Sequence, residues 1–212
     1  MLHKNTSLTL YIVRHGESEI NLERKLVVGQ SHESPLTPKG ERQAAKLGLT
    51  LKRKRIKFDF VYSSSSMRAY QTAQIATEKI GFNTDEIKKD DRIVEYSVGD
   101  WAGGKRDEIY TSEVTKSMNL MGPYFTPPKG ESLVMVQRRV MQWLFDEIIY
   151  NENYIGKTLD IGVFTHSMTI RVLLHYIMGF NDRLIYRIKI NNTGLSIVRF
   201  TEAGWYVDGV NL

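Results

Sequence analysis

The chain has 212 residues, of which 42% are hydrophobic and 25% charged, and its 29 Lys and Arg against 24 Asp and Glu give a formal net charge of +5. This length suits a single domain over residues 1–212, and the composition excludes disordered and collagen-like chains. The sequence contains no cysteine, which excludes disulfides, thiol nucleophiles and cysteine-ligated zinc or iron–sulfur sites.

Signals for secretion and membrane insertion are missing from the sequence. The apolar run 8–13 ends at Arg14 and is too short for the hydrophobic part of a signal peptide. No stretch approaches the roughly 20 apolar residues that span a bilayer. We therefore expect a cytoplasmic protein without a membrane partner. The oligomeric state stays open, with a homodimer among the options.

The first predicted element is the apolar run Leu8–Val13, which is typical of a strand buried on both faces of a sheet. Thr37 and Pro38 then form the N-cap signal of a helix that ends in Lys52–Arg55. The next predicted elements are, in order, the strand Phe58–Tyr62, the helix Ser66–Lys79, a surface loop at Lys88–Arg92, the helix Ser132–Tyr150, the strand Leu159–Phe164, the helix Met168–Met178 closed by Gly179, and the strands Ile185–Ile190, Leu195–Phe200 and Trp205–Val207. This alternation predicts an α/β fold, a three-layer sandwich in which helices flank a mainly parallel central sheet.

Basic and histidine side chains follow three of the predicted strands. In a fold of this class, ligands bind at the carboxyl ends of the strands. The residues that these strands bring to one rim are Arg14, His15, Arg68 and His166. A single histidine at a strand end is more often a structural hydrogen-bonding residue, but two histidines joined by two arginines favour a functional site.

These residue types point to phosphate chemistry. Arginine binds phosphate oxygens with a planar fork of donors and keeps its charge. A neutral imidazole is a competent nucleophile toward phosphorus. Gly16 would let backbone N–H groups approach a ligand closely, and the serines of 63–66 would add donors at a helix N-terminus. The pattern predicts a phosphoryl pocket that needs neither a metal ion nor a nucleotide-binding loop.

A set of ordered motifs resembles the histidine phosphatase superfamily, the phosphoglycerate mutase-like proteins. The motifs are Arg14-His15-Gly16-Glu17-Ser18 with Asn21, Leu36-Thr37-Pro38-Lys39-Gly40, Arg68-Ala69 with Gln71-Thr72-Ala73, Glu95 ahead of Gly99-Asp100-Trp101, Gly130-Glu131-Ser132, and His166 after an apolar strand. Arg-His-Gly alone is a weak signal, but the whole set covers nearly the full chain. The resemblance implies a phosphoglycerate mutase-like fold.

The resemblance also implies a role for each matching residue. His15 would be the nucleophile and form a phosphohistidine, and Glu95 would protonate the leaving alcohol and help to activate water. The residues that would hold the phosphoryl oxygens are Arg14, Arg68, His166 and Asn21. The residue pattern alone does not choose between His15 and His166 as nucleophile, and it does not single out Glu95.

Two positions depart from the motifs of this family. Ser167 follows the second histidine, where the family often has glycine, and we expect its hydroxyl to donate to a phosphate oxygen. Ala102 and Gly103 stand where the family usually has Glu-Gly, which puts substrate contacts at that point in doubt.

The segment Gly104–Lys129 is the main basis for choosing a reaction. Mutases that resemble this sequence carry a longer basic insertion there, with paired arginines and a tryptophan. We therefore favour a phosphatase over a phosphoglycerate mutase-type transferase, with a catalytically weak phosphate-binding protein as a third hypothesis. Cations of this segment could still favour substrates that carry a second anionic group, and these are Lys105, Arg106, Lys116 and Lys129.

We expect a small-molecule phosphomonoester as the partner and no metal or organic cofactor. No His-Glu-x-x-His motif or Asp-rich loop is present in the sequence. The basic run Lys52–Lys57 has no interleaved aromatic residues for base stacking. We interpret this run as the solvated end of a helix and expect no nucleic-acid partner.

Overall fold

The computed structural model describes residues 3–212, and a six-stranded sheet runs through its centre. The strands are β1 (Ser7–Arg14), β2 (Phe60–Ser64), β3 (Lys88–Asp90), β4 (Thr158–Thr165), β5 (Leu195–Thr201) and β6 (Gly204–Gly209). Their order across the sheet is β3-β2-β4-β1-β5-β6. The first four strands in this order are parallel, whereas β5 and β6 pair antiparallel at one edge.

Helices connect the strands and cover the sheet. They are α1 (Pro38–Arg53), α2 (Met67–Glu78), α3 (Arg106–Ile109), α4 (Ser112–Met121), α5 (Leu133–Trp143) and α6 (Ser167–Met178), and α5 continues as a π-helical segment, Leu144–Ile149. Thr37 caps α1, because its hydroxyl accepts a hydrogen bond from the Gly40 amide at 3.1 Å. Gly179 ends α6 in the left-handed conformation, with φ of 63°.

Two hydrophobic clusters hold these layers together. Leu8, Leu10 and Ile12 of β1 pack with α5 and α6 on one face of the sheet. Val13 of β1 packs with α1 and α2 on the other face. Because successive residues of a strand point to opposite faces, the single apolar run at β1 contributes to both clusters. The structure confirms the predicted three-layer α/β fold with a mainly parallel sheet.

Three local predictions need correction. The segment Ile185–Ile190 is not a strand, since Asp182–Arg187 forms a 3₁₀ helix that the Asn181 side chain caps. The expected surface loop at Lys88–Arg92 contains β3, which pairs with β2. The segment Gly104–Lys129, for which the sequence predicts no element, contains α3 and α4.

The basic run at the end of α1 lies at the surface, as the sequence predicts. Residues 52–55 and Lys57 are exposed at the end of α1, where cations stabilise the free carbonyl groups of a helix. Within residues 3–212, no helix combines the length and the apolar character that crossing a bilayer requires.

Candidate active site

A cavity of about 190 Å³ opens at the carboxyl ends of β1 and β4. Its walls are formed by Arg14, His15, Ile20, Asn21, Val28, Gly29, Arg68, Glu95, Tyr96, Ser167, Met168 and Arg171. Strands β1, β2 and β4 lie side by side in the sheet, so the segments that follow them meet at one rim. Of the predicted phosphate-binding residues, the fold brings Arg14, Arg68 and Asn21 together with His15 in this wall, whereas His166 is not part of the wall.

The hydrogen bonds of His15 fix its tautomer. Its Nδ1 lies 2.6 Å from the Gly16 carbonyl oxygen. A carbonyl oxygen only accepts, so Nδ1 carries the proton and Nε2 keeps its lone pair. The Arg68 Nε–H donates to this Nε2 at 3.3 Å. The side chain is 3% exposed, which shields the imidazole from bulk water.

His166 lies beside His15 and is fully buried. The two ring centroids are 5.1 Å apart. The His166 Nε2 is 2.8 Å from the Ser64 hydroxyl, which itself accepts a hydrogen bond from the Ser66 amide. The Ser64 hydroxyl can donate its own proton to Nε2, and in that tautomer the ring proton lies on Nδ1. This Nδ1 is buried and has no hydrogen-bond partner among residues 3–212.

Arg68 and Arg14 supply the positive charge next to His15. Arg68 is 1% exposed, and its two NH groups donate to the carbonyl oxygens of Ser31 and Gln30. Arg14 donates from one NH group to the Ile190 carbonyl at 2.8 Å, while its buried Nε has no partner among the described residues. Donors of both guanidinium groups are thus fixed in position before any ligand binds.

The charges of this cluster shift its pKa values. Burial, together with the positive charges of Arg68 and Arg14, holds the pKa of His15 well below its ordinary value. Burial and Arg68 have the same effect on the pKa of His166. Burial lowers the pKa of Arg68 to about 10, which still leaves this side chain charged at neutral pH. Both imidazoles are therefore neutral at pH 7, and the arginines are cationic.

Glu95 reaches the cavity from an irregular segment that follows β3. Its Oε1 accepts hydrogen bonds from its neighbour Tyr96 N at 2.9 Å and from Met168 N at 3.2 Å. Met168 belongs to the first turn of α6, so the carboxylate lies at the N-terminus of a helix, where a negative charge is stabilised. The carboxylate thus shares the cavity with the imidazole of His15.

Asn21 and Ser167 line the cavity, as the sequence predicts. The Asn21 Oδ1 accepts hydrogen bonds from the amide and the hydroxyl of Ser18 at 3.1 and 3.2 Å, so its NH₂ group is left to donate. Ser167 is the first residue of α6.

Gly16 is placed differently from the expectation that its amide approaches a ligand. Its amide donates to the Thr72 hydroxyl at 3.0 Å, and the residue is absent from the cavity wall. A Cβ at this position would lie 2.6 Å from the Gly40 carbonyl oxygen, so glycine is needed for packing against the start of α1. The serines of 63–66 also lie outside the wall, and Ser64 contacts His166 instead.

Arg171 is the third arginine of the cavity wall, and the sequence pattern did not predict it. It lies one turn after the start of α6, and its Nε donates to the Ile188 carbonyl at 2.8 Å. The predicted rim cations do not line the cavity. Lys105 pairs with Glu108 and Lys129 with Asp100 at the surface. The other missed residue near the site is Asn192, which donates to the His15 carbonyl at 3.0 Å.

The structure gives no candidate for a metal centre within residues 3–212, since no three acidic or histidine side chains there are grouped to hold an ion. The prediction that the site needs no metal or cofactor stays a prediction.

Comparison with known proteins adds the evolutionary context. A family model described as the histidine phosphatase superfamily (branch 1) matches residues 10–212. A 2,3-bisphosphoglycerate-dependent phosphoglycerate mutase of Bartonella tribocorum is 30% identical over 192 residues, which are 90% of each chain. The fructose-2,6-bisphosphatase TIGAR of Bos taurus is 38% identical over 135 residues, 63% of this chain and 48% of that protein. A solved structure of a phosphoserine phosphatase variant from Entamoeba histolytica, in complex with phosphoserine, has a TM-score of 0.78 and 25% identity over 96% of each chain.

Proposed function

The chain belongs to the histidine phosphatase superfamily (branch 1), and from this premise we propose that it hydrolyses small-molecule phosphomonoesters through a phosphohistidine on His15. One observation carries the proposal. A neutral imidazole, whose tautomer the Gly16 carbonyl sets, shares a small cavity with three guanidinium groups and the Glu95 carboxylate. This combination offers a nucleophile, charge neutralisation and a carboxylate that can take up a proton and give it to a leaving group at one place.

In the first step, the Nε2 lone pair of His15 forms a bond to phosphorus while the bond from phosphorus to the leaving oxygen breaks. Glu95 in its acid form gives its proton to that oxygen, and an alcohol leaves. In the second step, water attacks the phosphorus and Glu95 takes its proton. The nitrogen–phosphorus bond breaks, its electron pair returns to Nε2, and inorganic phosphate is released.

The phosphoryl oxygens would be held by the donors that are already fixed around His15. The free donors would be the Arg14 Nε–H, the Asn21 NH₂ group and, in the tautomer that is protonated at Nδ1, the ring of His166. Arg68 sits against the nucleophilic nitrogen and would turn its Nε–H to a phosphoryl oxygen as the ligand binds. The Arg14 and Asn21 donors need no such movement, and donors that are ordered in advance stabilise the transition state without a reorganisation cost.

The cations of the cavity wall favour hydrolysis over transfer between two phosphate positions. The cations of Gly104–Lys129 lie outside the wall, so Arg171 is the single further cation that a second phosphate would meet there. The length of this segment does not distinguish a phosphatase from a mutase, because the Bartonella tribocorum mutase aligns over 90% of both chains.

A phosphoglycerate mutase-type reaction remains the second candidate, since that relative carries the name. Incubation with 3-phosphoglycerate and catalytic 2,3-bisphosphoglycerate, followed by phosphorus NMR, separates the two. Release of inorganic phosphate supports the phosphatase, and formation of 2-phosphoglycerate without it supports the mutase.

The central test is turnover of p-nitrophenyl phosphate in the presence of a chelator. We expect release of inorganic phosphate by the wild type and loss of it in His15→Ala. Digestion after an alkaline quench, which preserves the acid-labile nitrogen–phosphorus bond, should also locate the phosphoryl group on His15. Retained phosphate binding with no turnover by the wild type would point instead to a phosphate-binding protein.

A further inference from the structure

Arg139 of α5 lies outside the cavity wall, yet its side chain is only 17% exposed. Its Nε and one NH₂ group donate to the two carboxylate oxygens of Glu131 at 2.7 and 3.0 Å. The remaining N–H groups donate to the carbonyl oxygens of Arg92, Val94 and Glu95 at 2.9, 2.8 and 3.0 Å. All five donors of the guanidinium group are therefore used.

The carbonyl partners belong to the segment that carries Glu95. Residues 94–98 form neither helix nor strand, so no regular hydrogen-bond ladder fixes them. Glu131 completes the contact on the far side of Glu95, because its Oε2 accepts from the Ser97 amide at 2.9 Å and its own amide donates to the Ser97 carbonyl at 2.9 Å. The pair of Arg139 and Glu131 thus holds the backbone on both sides of the carboxyl group.

The elements on either side of His166 in the sequence also hold this segment. The Thr165 hydroxyl donates to the Ile93 carbonyl at 2.6 Å, and the Thr169 hydroxyl donates to the Val94 carbonyl at 2.8 Å. Glu95 is consequently fixed between two supports. One comes from β4 and α6 at the phosphate site, and the other comes from α5.

We propose that Arg139, paired with Glu131, is a positioning residue that holds the Glu95 carboxyl within reach of the leaving oxygen. The inference rests on the general-acid role of Glu95 in the proposed function. A general acid acts only within hydrogen-bond reach of the proton acceptor, so a small displacement of the segment removes its contribution. The contacts of His15 do not involve the pair, so the nucleophile keeps its place.

Aryl and alkyl phosphates depend differently on the general acid, because their leaving groups differ in basicity. A nitrophenolate leaves without a proton, whereas an alkoxide leaves poorly unless it is protonated. Loss of positioning therefore slows cleavage of alkyl phosphates and spares cleavage of p-nitrophenyl phosphate.

The test compares β-glycerophosphate with p-nitrophenyl phosphate in Arg139→Met, which keeps most of the side-chain length and removes all five donors. We expect kcat/KM for the alkyl ester to fall by about 100-fold, in line with the loss of general-acid catalysis, and kcat/KM for the aryl ester by roughly threefold or less. Arg138→Met is the matched control, since Arg138 is the exposed neighbour on the same helix, and neither value should change.

Glu95→Gln is the reference, and it should show the same selective loss. If Glu95→Gln lowers kcat/KM equally for both substrates, the general-acid assignment fails and this inference fails with it. If Glu95→Gln lowers kcat/KM only for the alkyl ester but Arg139→Met lowers it equally for both esters, Arg139 has only a structural role. That result overturns this inference and leaves the proposed function intact. Should Arg139→Met not fold, Glu131→Gln weakens the same pair with little change in volume, and the same comparison decides.

Discussion

The hydrogen-bond partners of His15 and His166 give two neutral imidazoles different tasks. The Gly16 carbonyl leaves a lone pair on the Nε2 of His15, whereas a Ser64 hydroxyl that donates to the Nε2 of His166 would leave an N–H on its Nδ1. The first ring can attack phosphorus, and the second can donate to the oxyanion. The division of labour therefore depends on one backbone oxygen and one serine hydroxyl.

Ser64→Ala tests this division. The change leaves the buried Nε2 of His166 without its hydrogen-bond partner, so the ring proton is no longer directed to Nδ1. The cost of an unsatisfied buried group is about 1–3 kcal/mol, and we expect kcat/KM for p-nitrophenyl phosphate to fall roughly tenfold or more. Ser63→Ala is the control, because the neighbouring Ser63 hydroxyl is equally buried but bonds only to the Ser64 carbonyl. Equal losses in the two variants would contradict the assignment.

Arg171 sets a second expectation at the residue scale. Burial lowers its pKa somewhat, while the nearby Glu95 carboxylate raises it, and the group stays cationic. We expect Arg171→Met to lower kcat/KM for 3-phosphoglycerate by roughly tenfold or more relative to p-nitrophenyl phosphate, because a charge-assisted hydrogen bond contributes about 1.5–3 kcal/mol. Lys189→Met removes an exposed cation outside the wall and should leave the ratio unchanged. A uniform loss on both substrates would assign Arg171 to support of the Ile188 segment.

The sequence predicts the residues that stand directly after strands better than those placed by tertiary contact. Arg14 and His15 follow an apolar run, and strand-end logic brings them to the rim. Arg171 lies inside a helix that reads as apolar core, and its place in the wall depends on how α6 meets the Glu95 segment. Ser64 belongs to a serine cluster in which the sequence does not show which hydroxyl meets His166.

At the scale of elements, the alternation of apolar runs and amphipathic segments predicts most of the sheet. The strand predicted at Ile185–Ile190 is wrong because Ile185 is the buried residue of a 3₁₀ helix that ends at Arg187, and Ile190 is buried beyond that helix. The sheet offers no place beside β1, since β4 and β5 already pair with it. Short β3 has only Lys88, Lys89 and Asp90, and no apolar pattern marks it.

Arg92 forms ion pairs with residues of two elements whose contact cannot be predicted from the sequence pattern. Its guanidinium group forms ion pairs with Asp90, Asp146 and Glu147 at 2.6, 2.9 and 2.8 Å. The last two residues belong to the π-helical continuation of α5, so the network links that segment to the end of β3. An isolated surface pair loses side-chain entropy when two long side chains are held in one geometry. In a network, one ordered side chain serves several pairs, so the entropy cost for each pair is smaller.

Arg92→Met should therefore destabilise the protein more than loss of an isolated pair does. Arg92 is 26% exposed, and allowing for solvent screening we expect a loss of about 1 kcal/mol in the free energy of unfolding, measured by urea denaturation. Lys105→Met is the comparison, because the Lys105–Glu108 pair is about two-thirds exposed, and its loss should cost less than about 0.5 kcal/mol. Equal costs would show that the network contributes no more than one surface pair.

At the scale of the whole molecule, the formal charge of +5 is a poor guide to where charge acts. The dense run at Lys52–Lys57 lies mostly exposed at a helix end, whereas Arg14 and Arg68 are enclosed with two imidazoles. Enclosing cations beside histidines costs stability in the absence of a bound anion. The buried imidazoles have to stay neutral next to these cations, even at a pH at which the unfolded chain would protonate them. This cost makes the stability of the fold sensitive to pH.

The sign of the effect follows from proton binding. The native pKa values of His15 and His166 lie well below the ordinary value of about 6.5, to which both groups return in the unfolded chain. Between those values the unfolded state binds more protons than the native state. Stability therefore falls as the pH is lowered through about 6.5 and recovers above it.

We expect each buried imidazole to add up to about 1.4 kcal/mol per pH unit to the slope of unfolding free energy below roughly pH 6.5. Urea denaturation of the wild type from about pH 5 to pH 8 should show this loss above the contribution that carboxylates make in every variant. His166→Gln should reduce the slope, and the double change with His15→Gln should reduce it further. His175→Gln, which removes an imidazole 2.9 Å from Asp182 near the surface, should leave the steep dependence in place. If the double variant keeps the wild-type slope, the buried imidazoles are not the groups that titrate, and the neutral nucleophile proposed for His15 loses its support.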